Sequence, residues 1–140
     1  MIRLATKDEM KHIKNDPVRP HIKKDWRTRC GREVYVLERD NSIDAVICVA
    51  YMDEVPINED DMKWVGMNHA VFYTVWSYKK GAGREIVNGV SKKIKAQKPW
   101  VKRFVTLSPL TEMARKFHIS NGAKFIGKGD TCQNFEYEVC

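Results

Sequence analysis

The sequence has 140 residues, of which 43% are hydrophobic and 31% are charged, as expected for one globular domain spanning residues 1–140. No apolar run approaches the roughly 20 residues of a membrane helix, and the charged N-terminus is unlike a signal peptide, so we expect a cytoplasmic protein with no membrane partner. The formal net charge of +7 favours an anionic partner, without choosing among nucleic acid, an acidic protein and a phosphorylated cofactor.

The four cysteines argue against a zinc site or a disulfide framework. None forms a C-x-x-C pair, and no histidine lies at metal-ligand spacing from them. Cys48 lies inside the apolar run AVICVAY and is predicted to be a small buried core residue. We therefore expect no metal.

The N-terminal segment is predicted to hold a short strand and a helix. Residues 2–5 alternate as a strand does. The T-K-D-E motif that follows is a capping box, in which Glu9 reaches back to the amide of Thr6. The helix that begins there should end at Asp16 and Pro17, because a residue before proline is driven out of helical geometry.

A β-hairpin is predicted next. Residues 34–39 and 42–52 are rich in β-branched and aromatic side chains, and Asp40 and Asn41 between them are typical turn residues. Residues 55–66 then form a polar, acidic connector.

The centre of the chain has the pattern of a parallel strand–helix–strand unit. Residues 68–77, NHAVFYTVWS, are largely apolar and predict a central strand covered on both faces. Apolar residues recur at helical spacing over 84–97, and residues 101–107 alternate as a strand. Since such crossovers are right-handed, the two strands should be parallel neighbours.

The C-terminal part is predicted to be a helix and a closing hairpin. Ser108 is a suitable N-cap with Pro109 at the first helical position, and Asn121-Gly122 should end the helix. The predicted buried face of this helix carries Leu110, Met113 and Phe117. The element order as a whole predicts a mixed α/β (α+β) fold.

The glycine-rich loop after residue 77 has two interpretations. Gly81 and Gly83 let the backbone approach a ligand closely at the start of a helix, where unpaired amides and the helix dipole favour an anion. Lys79, Lys80 and Arg84 add positive charge. The loop lacks the spacing of a nucleotide P-loop or of a dinucleotide-binding turn. On its own residues, a tight turn with solvated lysines is an equally good interpretation.

Two segments resemble the GNAT superfamily of acyl-CoA N-acyltransferases. Y-K-K-G-A-G, at 78–83, is similar to the [RQ]-x-x-G-x-[GA] loop of that superfamily and lies, as that loop does, between a long strand and an amphipathic helix. VTLSPLTEMARKFHISNGAKFIG, at 105–127, is similar to its strand and helix that end in A-x-x-F-Y-x-x-x-G-F. The matching residues are Ala114, Phe117, His118, Gly122 and Ala123. The element order agrees over nearly the whole chain.

The resemblance implies a GNAT-like fold with a central mixed, mostly antiparallel sheet, a parallel splayed pair and flanking helices. It implies an N-acetyltransferase that moves an acetyl group from acetyl-CoA, its co-substrate, to a primary amine on a small molecule or protein, directly and within a ternary complex. The coenzyme-binding residues implied are the strand residues Val71, Phe72 and Tyr73 and the loop residues Tyr78, Lys79, Lys80, Gly81, Ala82, Gly83 and Arg84.

The chain departs from the superfamily pattern at positions that bear on catalysis. Tyr78 replaces the usual leading Arg or Gln of the loop, and His118 replaces the tyrosine that protonates the leaving thiolate. Since an ordinary histidine titrates near neutrality, an imidazolium could serve as that acid. Thr111 stands in place of a frequent asparagine, and Ala123 in place of the phenylalanine after the terminal glycine.

Three residues are candidates for the base that deprotonates the acceptor. Glu54 follows the second hairpin strand, while His69 and Tyr73 share one face of the central strand. Each is equally well explained as an edge carboxylate or a packed strand residue. The acidic segment 53–61 could line a site for a cationic amine or could be a solvated loop.

Two other classes of function remain open from sequence. Small divergent GNAT-like proteins of bacteriophages, some carried in virions, are similar, so a catalytically inactive binding or structural protein is the alternative, with the virion as its location. The basic residues of 92–103, interleaved with Trp100, could instead bind nucleic acid. That partner is not favoured, because Ile94 and Val101 keep a core periodicity that makes the lysines a solvated helix face.

Overall fold

The structure is a computed structural model that describes all residues from Met1 to Cys140, built around one eight-stranded sheet. The strands are β1 Ile2–Leu4, β2 Arg32–Arg39, β3 Ser42–Met52, β4 His69–Ser77, β5 Arg103–Thr106, β6 Ser108–Pro109, β7 Lys124–Lys128 and β8 Cys132–Tyr137. The helices are α1 Lys24–Thr28, α2 Ala82–Gln97 and α3 Glu112–Ser120, and 3-10 segments span Asp8–Asn15 and Glu59–Lys63. No helix has the length and apolar character that crossing a bilayer requires.

The strands lie in the order β1-β2-β3-β4-β5-β8-β6, and β7 pairs with β8. Only β4 and β5 pair in parallel, which confirms the predicted crossover and the mixed, mostly antiparallel sheet. One face of the sheet is covered by α2 and the end of α3 through a cluster of 18 buried residues. The N-terminal 3-10 segment and the residues that follow it cover the other face through a cluster of 16 buried residues.

Local sequence signals account for most element boundaries. The capping box is present, because the Thr6 amide donates to Glu9 Oε1 at 2.9 Å and the Glu9 amide donates to Thr6 Oγ1 at 3.3 Å. Asp40 and Asn41 adopt φ angles of 51° and 64°, the left-handed geometry of a tight hairpin turn between β2 and β3.

The predicted start of the last helix is wrong. Ser108 and Pro109 pair with β8 as the two-residue strand β6, and the Ser108 hydroxyl hydrogen-bonds that of Thr106 at 2.8 Å instead of capping a helix. Thr111 is the actual N-cap of α3, since its hydroxyl accepts from the Ala114 amide at 3.2 Å. The predicted apolar face is also largely in water, with Met113 83% exposed, because α3 contacts the sheet mainly through its C-terminal half.

Candidate functional site

A β-bulge in the middle of β4 determines the geometry of the site. In the β3–β4 ladder Val49 pairs with Phe72 and Cys48 pairs with Thr74, so Tyr73 is an extra residue with no partner. The bulge turns two successive side chains to one face. Tyr73 packs in the cluster under the N-terminal region, and the Thr74 hydroxyl reaches a buried carboxylate on that same side.

The parallel pairing of β4 with β5 stops at the bulge. The last partners are Phe72 and Thr106, and the final bond runs from the Leu107 amide to the Phe72 carbonyl at 3.1 Å. Beyond that point β4 has no strand beside it on the β5 side, so residues 74–77 present an open edge. Val71 and Phe72, two of the strand residues that the resemblance implies for coenzyme binding, lie where β5 already occupies the edge of β4, so the open part of the edge lies beyond them toward the loop.

The open edge leads directly to the glycine loop and the start of α2. Gly81 has a φ of 82°, which only glycine adopts without cost, and it is the N-cap residue of the helix. Among residues 78–84, only the amides of Tyr78 and Ala82 donate to backbone carbonyls. The amides of Gly81, Gly83 and Arg84 remain free at the positive end of the α2 dipole. Such free amides fit an anionic group.

The close approach of α3 explains the second glycine of the loop. A Cβ at Gly83 would lie 3.1 Å from Cε1 of Phe117, so the glycine lets the phenylalanine ring lie against the first turn of α2. The start of α2 is therefore bordered by the sheet edge on one side and by an aromatic ring of α3 on another.

The charged side chains of the loop differ in whether they already have an ion-pair partner within the protein. Lys79 Nζ lies 3.6 Å from Asp44 Oδ1, whereas Lys80 and Arg84 are exposed and have no ion-pair partner. Tyr78 is already hydrogen-bonded within the protein, because its amide donates to the Asp44 carbonyl at 2.8 Å. Its hydroxyl accepts from Trp76 Nε1 and Asn15 Nδ2, both at 3.0 Å, and lies 2.9 Å from His12 Nδ1, which can take its hydrogen. Tyr78 therefore fixes the base of the loop and offers no free donor.

A buried ionic network lies directly under the bulge. Asp16 Oδ2 accepts from Arg27 Nη1 at 2.8 Å, and both side chains are completely buried. The other carboxylate oxygen, Oδ1, accepts from the Thr74 hydroxyl and from the amides of Val18 and Arg19, at 2.8–2.9 Å. Burial by itself would raise the pKa of Asp16, but these hydrogen bonds outweigh it and hold the pKa below its ordinary value.

Arg19 carries positive charge into the gap between β4 and β8. Its Nη1 donates to the carbonyl of the bulge residue Tyr73, and its Nη2 lies 3.6 Å from the Cys132 thiol on β8. Its Nε donates to Glu59 Oε1 at 3.0 Å, and Glu59 Oε2 in turn lies 2.6 Å from His21 Nε2. The arginine side chain is 4% exposed, so it is a buried cation at the point where the strands diverge.

His118 lies in the core on the opposite face of the sheet from Tyr73. It is stacked on Phe135 with ring centroids 5.3 Å apart, and its Nδ1 is 2.6 Å from the Tyr137 hydroxyl. Burial lowers the pKa of His118 to about 4, so the imidazole is neutral at physiological pH. Burial thus disfavours the imidazolium form at neutral pH, which bears against proton donation from that form.

The three candidate bases are not brought together. The Tyr73 hydroxyl is buried without a hydrogen-bond partner, and burial raises its pKa far above the ordinary value. His69 lies at the paired start of β4, about 13 Å along the strand from Tyr73. Glu54 is exposed and lines a separate cavity of about 550 Å³ beside Trp64.

The acidic segment is docked onto the sheet. Asn134 Nδ2 on β8 donates to the carbonyls of Pro56 and Thr106, both at 2.8 Å, which fixes the segment at the end of β5. Asn58 and Asp61 form a reciprocal capping box that begins the 3-10 turn carrying Glu59. No group of three or more His, Cys, Asp or Glu side chains is arranged to hold a metal ion.

Sequence reasoning missed the residues that converge on the bulge: Asp16, Arg19, Arg27, Glu59 and Thr74. The signals available were weak. Asp16-Pro17 was identified only as a helix stop, and Arg19 lies in an irregular stretch between two prolines. Nothing in sequence spacing places either residue beside a strand more than 50 residues away.

Comparison with solved structures places this architecture among known folds. Malonyl-CoA decarboxylase from Rhodopseudomonas palustris superposes with a TM-score of 0.73 over 98% of this chain and 59% of its own, at 16% identity. N-acetyltransferase PseH from Campylobacter jejuni gives 0.66 over 99% of this chain and 96% of its own, at 12% identity. A proposed acetyltransferase of the GNAT family from Desulfovibrio desulfuricans gives 0.66, at 10% identity, over 100% of this chain and 99% of its own.

These likenesses establish that the chain has a GNAT fold, and at such identities they establish the fold alone. The chain spans 35% and 33% of the malonyl-CoA decarboxylases from Agrobacterium vitis and Cupriavidus metallidurans, so it corresponds to one part of those larger proteins. No protein-family model and no curated protein matches the sequence.

Proposed function

We propose that this chain binds an acyl-coenzyme A along the open edge of β4 and transfers the acyl group, acetyl in the simplest case, to a primary amine. The observation that carries the proposal is the continuity of three features: the bulge at Tyr73, the unpaired edge over 74–77 and the free amides at the start of α2. An anion on the amides and an extended amide-containing arm along the edge would satisfy both sets of backbone groups.

The loop supports binding of a diphosphate in particular. The amides of Gly81, Gly83 and Arg84 are free, and the ammonium of Lys80 and the guanidinium of Arg84 flank them without partners. The amides of Tyr78 and Ala82 would not contact the diphosphate, because each already donates a hydrogen bond within the protein. Tyr78 would act by fixing the loop, and Ala82 by its lack of bulk.

The proposed reaction needs three functions from this site. An amine loses a proton, its nitrogen forms a bond to the thioester carbon, and the C–S bond breaks as the thiolate takes up a proton. The bulge at Tyr73 is where a thioester lying on the open edge would end, so an unpaired backbone N–H there would be suited to polarise its carbonyl. Neutral His118 and buried Tyr73 are both weakly suited to move protons as they are placed.

A binding assay followed by an activity assay tests the proposal. Thermal unfolding is measured with acetyl-CoA, and a ligand at 100 times its Kd should raise the free energy of unfolding by about 2.7 kcal/mol. Free-thiol release is then followed with a panel of amines. Malonyl-CoA without amine is included, since malonyl-CoA decarboxylases share the fold, and carbon dioxide release would indicate a different reaction. No stabilisation by any CoA compound at millimolar concentration would remove the proposal.

A second candidate function is binding without catalysis, as in a structural or virion component. The observation that favours it is the state of His118, which is buried, neutral and hydrogen-bonded to Tyr137. This function predicts stabilisation by coenzyme A with no thiol release from any amine.

Nucleic acid is the less favoured partner. Ile94 and Val101 are buried, so the lysines between them lie on the outer side of α2 and its following turn, as a solvated face would. Binding to nucleic acid would fall steeply with salt concentration. A flat salt dependence, or no binding at all, would remove this partner.

A further inference from the structure

We propose that Arg19 is a carboxylate-binding group at the inner end of the β4 edge, so that the preferred substrate carries a carboxylate close to the reacting carbonyl. The proposal rests on the proposed function, because it takes the acyl-CoA to lie along residues 74–77 and to end at the bulge.

The guanidinium of Arg19 is incompletely used by the protein. It has five N–H donors, and the structure supplies one carboxylate oxygen from Glu59, one carbonyl from Tyr73 and the thiol of Cys132 at 3.6 Å. A thiol is a weak acceptor, and two N–H groups have none. A side chain buried to this extent would ordinarily have its donors filled, because an unmatched buried donor costs about 1–3 kcal/mol.

The backbone of Arg19 is held rigidly in this position. Its amide donates to Asp16 Oδ1 at 2.9 Å, and its carbonyl accepts from Arg27 Nη2 at 2.6 Å. Both partners are themselves completely buried. The guanidinium is therefore preorganised before any ligand arrives, which lowers the entropic cost of binding.

The position of the guanidinium defines which part of a ligand it would meet. Tyr73, whose carbonyl it contacts, is the first residue past the β4–β5 pairing. From there to Ser77 the open edge extends about 13 Å toward the glycine loop. A ligand with its diphosphate on the loop amides would thus bring its acyl end, and the acceptor that attacks it, to Arg19.

Glu59 shows how a carboxylate could be received. It contacts Arg19 through one oxygen only and is 40% exposed, on a short 3-10 turn at the surface. A planar guanidinium prefers two parallel bonds to one carboxylate. A ligand carboxylate that approaches along the gap between β4 and β8 can displace the single bond between Glu59 and Arg19. Glu59 would then still be held by His21, whose Nε2 lies 2.6 Å from Glu59 Oε2.

The carboxylate can belong to the acyl group or to the amine acceptor, and binding measurements distinguish the two. Affinities are measured calorimetrically for acetyl-CoA, malonyl-CoA and succinyl-CoA, and then for alanine and alaninamide in the presence of coenzyme A. If the acyl group carries the carboxylate, malonyl- or succinyl-CoA should bind about tenfold more tightly than acetyl-CoA, as one charge-assisted hydrogen bond would give. If the acceptor carries it, alanine should bind more tightly than alaninamide, which lacks the carboxylate.

Arg19→Gln should abolish either preference, measured as the ratio of the affinities for the ligand with the carboxylate and the ligand without it. Arg29→Gln is the control, since Arg29 is exposed and its side chain has no partner. Glu59→Gln should strengthen binding of the carboxylated ligand, because it removes the competing carboxylate without removing the arginine. Thermal unfolding without ligand verifies that each variant folds.

The outcomes separate the two proposals. Acetyl-CoA binding with no carboxylate preference, or a preference unchanged in Arg19→Gln, overturns the role of Arg19 and leaves the acyl-CoA proposal intact. If Arg19→Gln does not fold, weaker binding of the carboxylated ligand to Glu59→Gln overturns that role. Absence of binding by every CoA compound removes both proposals.

Discussion

The Thr74 hydroxyl donates to Asp16 Oδ1 at 2.9 Å, across a sequence separation of 58 residues and directly beside the bulge of β4. This contact exists because the bulge turns Thr74 to the same face as Tyr73. The N-terminal region and the central strand are thereby joined at the place where the ladder between β3 and β4 is interrupted.

Asp16→Asn should destabilise the protein by about 3–5 kcal/mol, because it leaves the buried Arg27 guanidinium without its carboxylate partner. Chemical denaturation measures the free energy of unfolding. Asp25→Asn is the matched control, since Asp25 is exposed and unpaired, and it should change the free energy by less than about 0.5 kcal/mol. Equal effects of the two substitutions would contradict the assigned role of the network.

His118 should make stability fall in mildly acidic solution. Burial lowers its pKa to about 4 from an ordinary 6.5, so between these values the unfolded chain binds a proton that the native protein does not. Stability contributed by this residue is complete above pH 6.5 and declines by about 3 kcal/mol as the pH falls to 4.

His118→Phe should flatten the pH dependence over this range. The difference between the unfolding free energies of the two proteins, measured from pH 4 to pH 7, isolates the residue from the carboxylates that titrate lower. Some slope should remain, because burial also lowers the pKa of His12 and of His69, but a slope as steep in His118→Phe as in the parent would show that His118 is not responsible.

Gly81→Ala should cost about 1 kcal/mol of stability, because a Cβ is unfavourable at a φ of 82°. Nothing lies within 4 Å of the position that the Cβ would take, so backbone strain alone is responsible. Gly81→Asn should cost less, since asparagine tolerates left-handed geometry. Thermal unfolding compares the three proteins, and an alanine variant as stable as the glycine parent would contradict the geometry of the loop.

Lys80→Ala and Arg84→Ala should weaken coenzyme A binding, each on the order of tenfold, without loss of stability. Both side chains are exposed and unpaired beside the free amides of the loop, so the protein itself does not depend on them. Lys92→Ala removes the same charge from α2 further along the helix. Calorimetric titration at two salt concentrations should show a weaker salt dependence for the loop variants only.

Much of the fold could be predicted from the sequence, because most of it depends on local patterns. The capping box at Thr6, the hairpin turn at Asp40 and Asn41, and the parallel crossover all follow from residues a few positions apart. The start of the last helix was mispredicted because a local signal competed with a long-range strand pairing. Ser108 resembles an N-cap, but a pairing with Cys132 and Gln133, more than 20 residues away, makes it part of a strand.

The candidate site was predictable only in part for the same reason. The glycine loop can be recognised from its own residues in the sequence, whereas the open edge depends on how far β5 extends beside β4. Arg19 and Glu59 meet through tertiary packing across 40 residues of chain, which no spacing rule reveals. The low pKa of His118 likewise comes from burial against Phe135 and not from its position in a motif.

The bulge at Tyr73 also bears on how far the amino-acid sequence around such a site can change during evolution. The pairing of β4 with β5 stops beside one extra residue, and the hydrogen-bonding groups of the open edge are backbone groups that every amino acid carries. Most side chains along β4 can therefore change without loss of the groove, provided that they stay apolar and that their number is kept. Descendants of this protein can keep the groove while losing nearly all sequence similarity, whereas deletion of residue 73 would remove the bulge at which the groove begins.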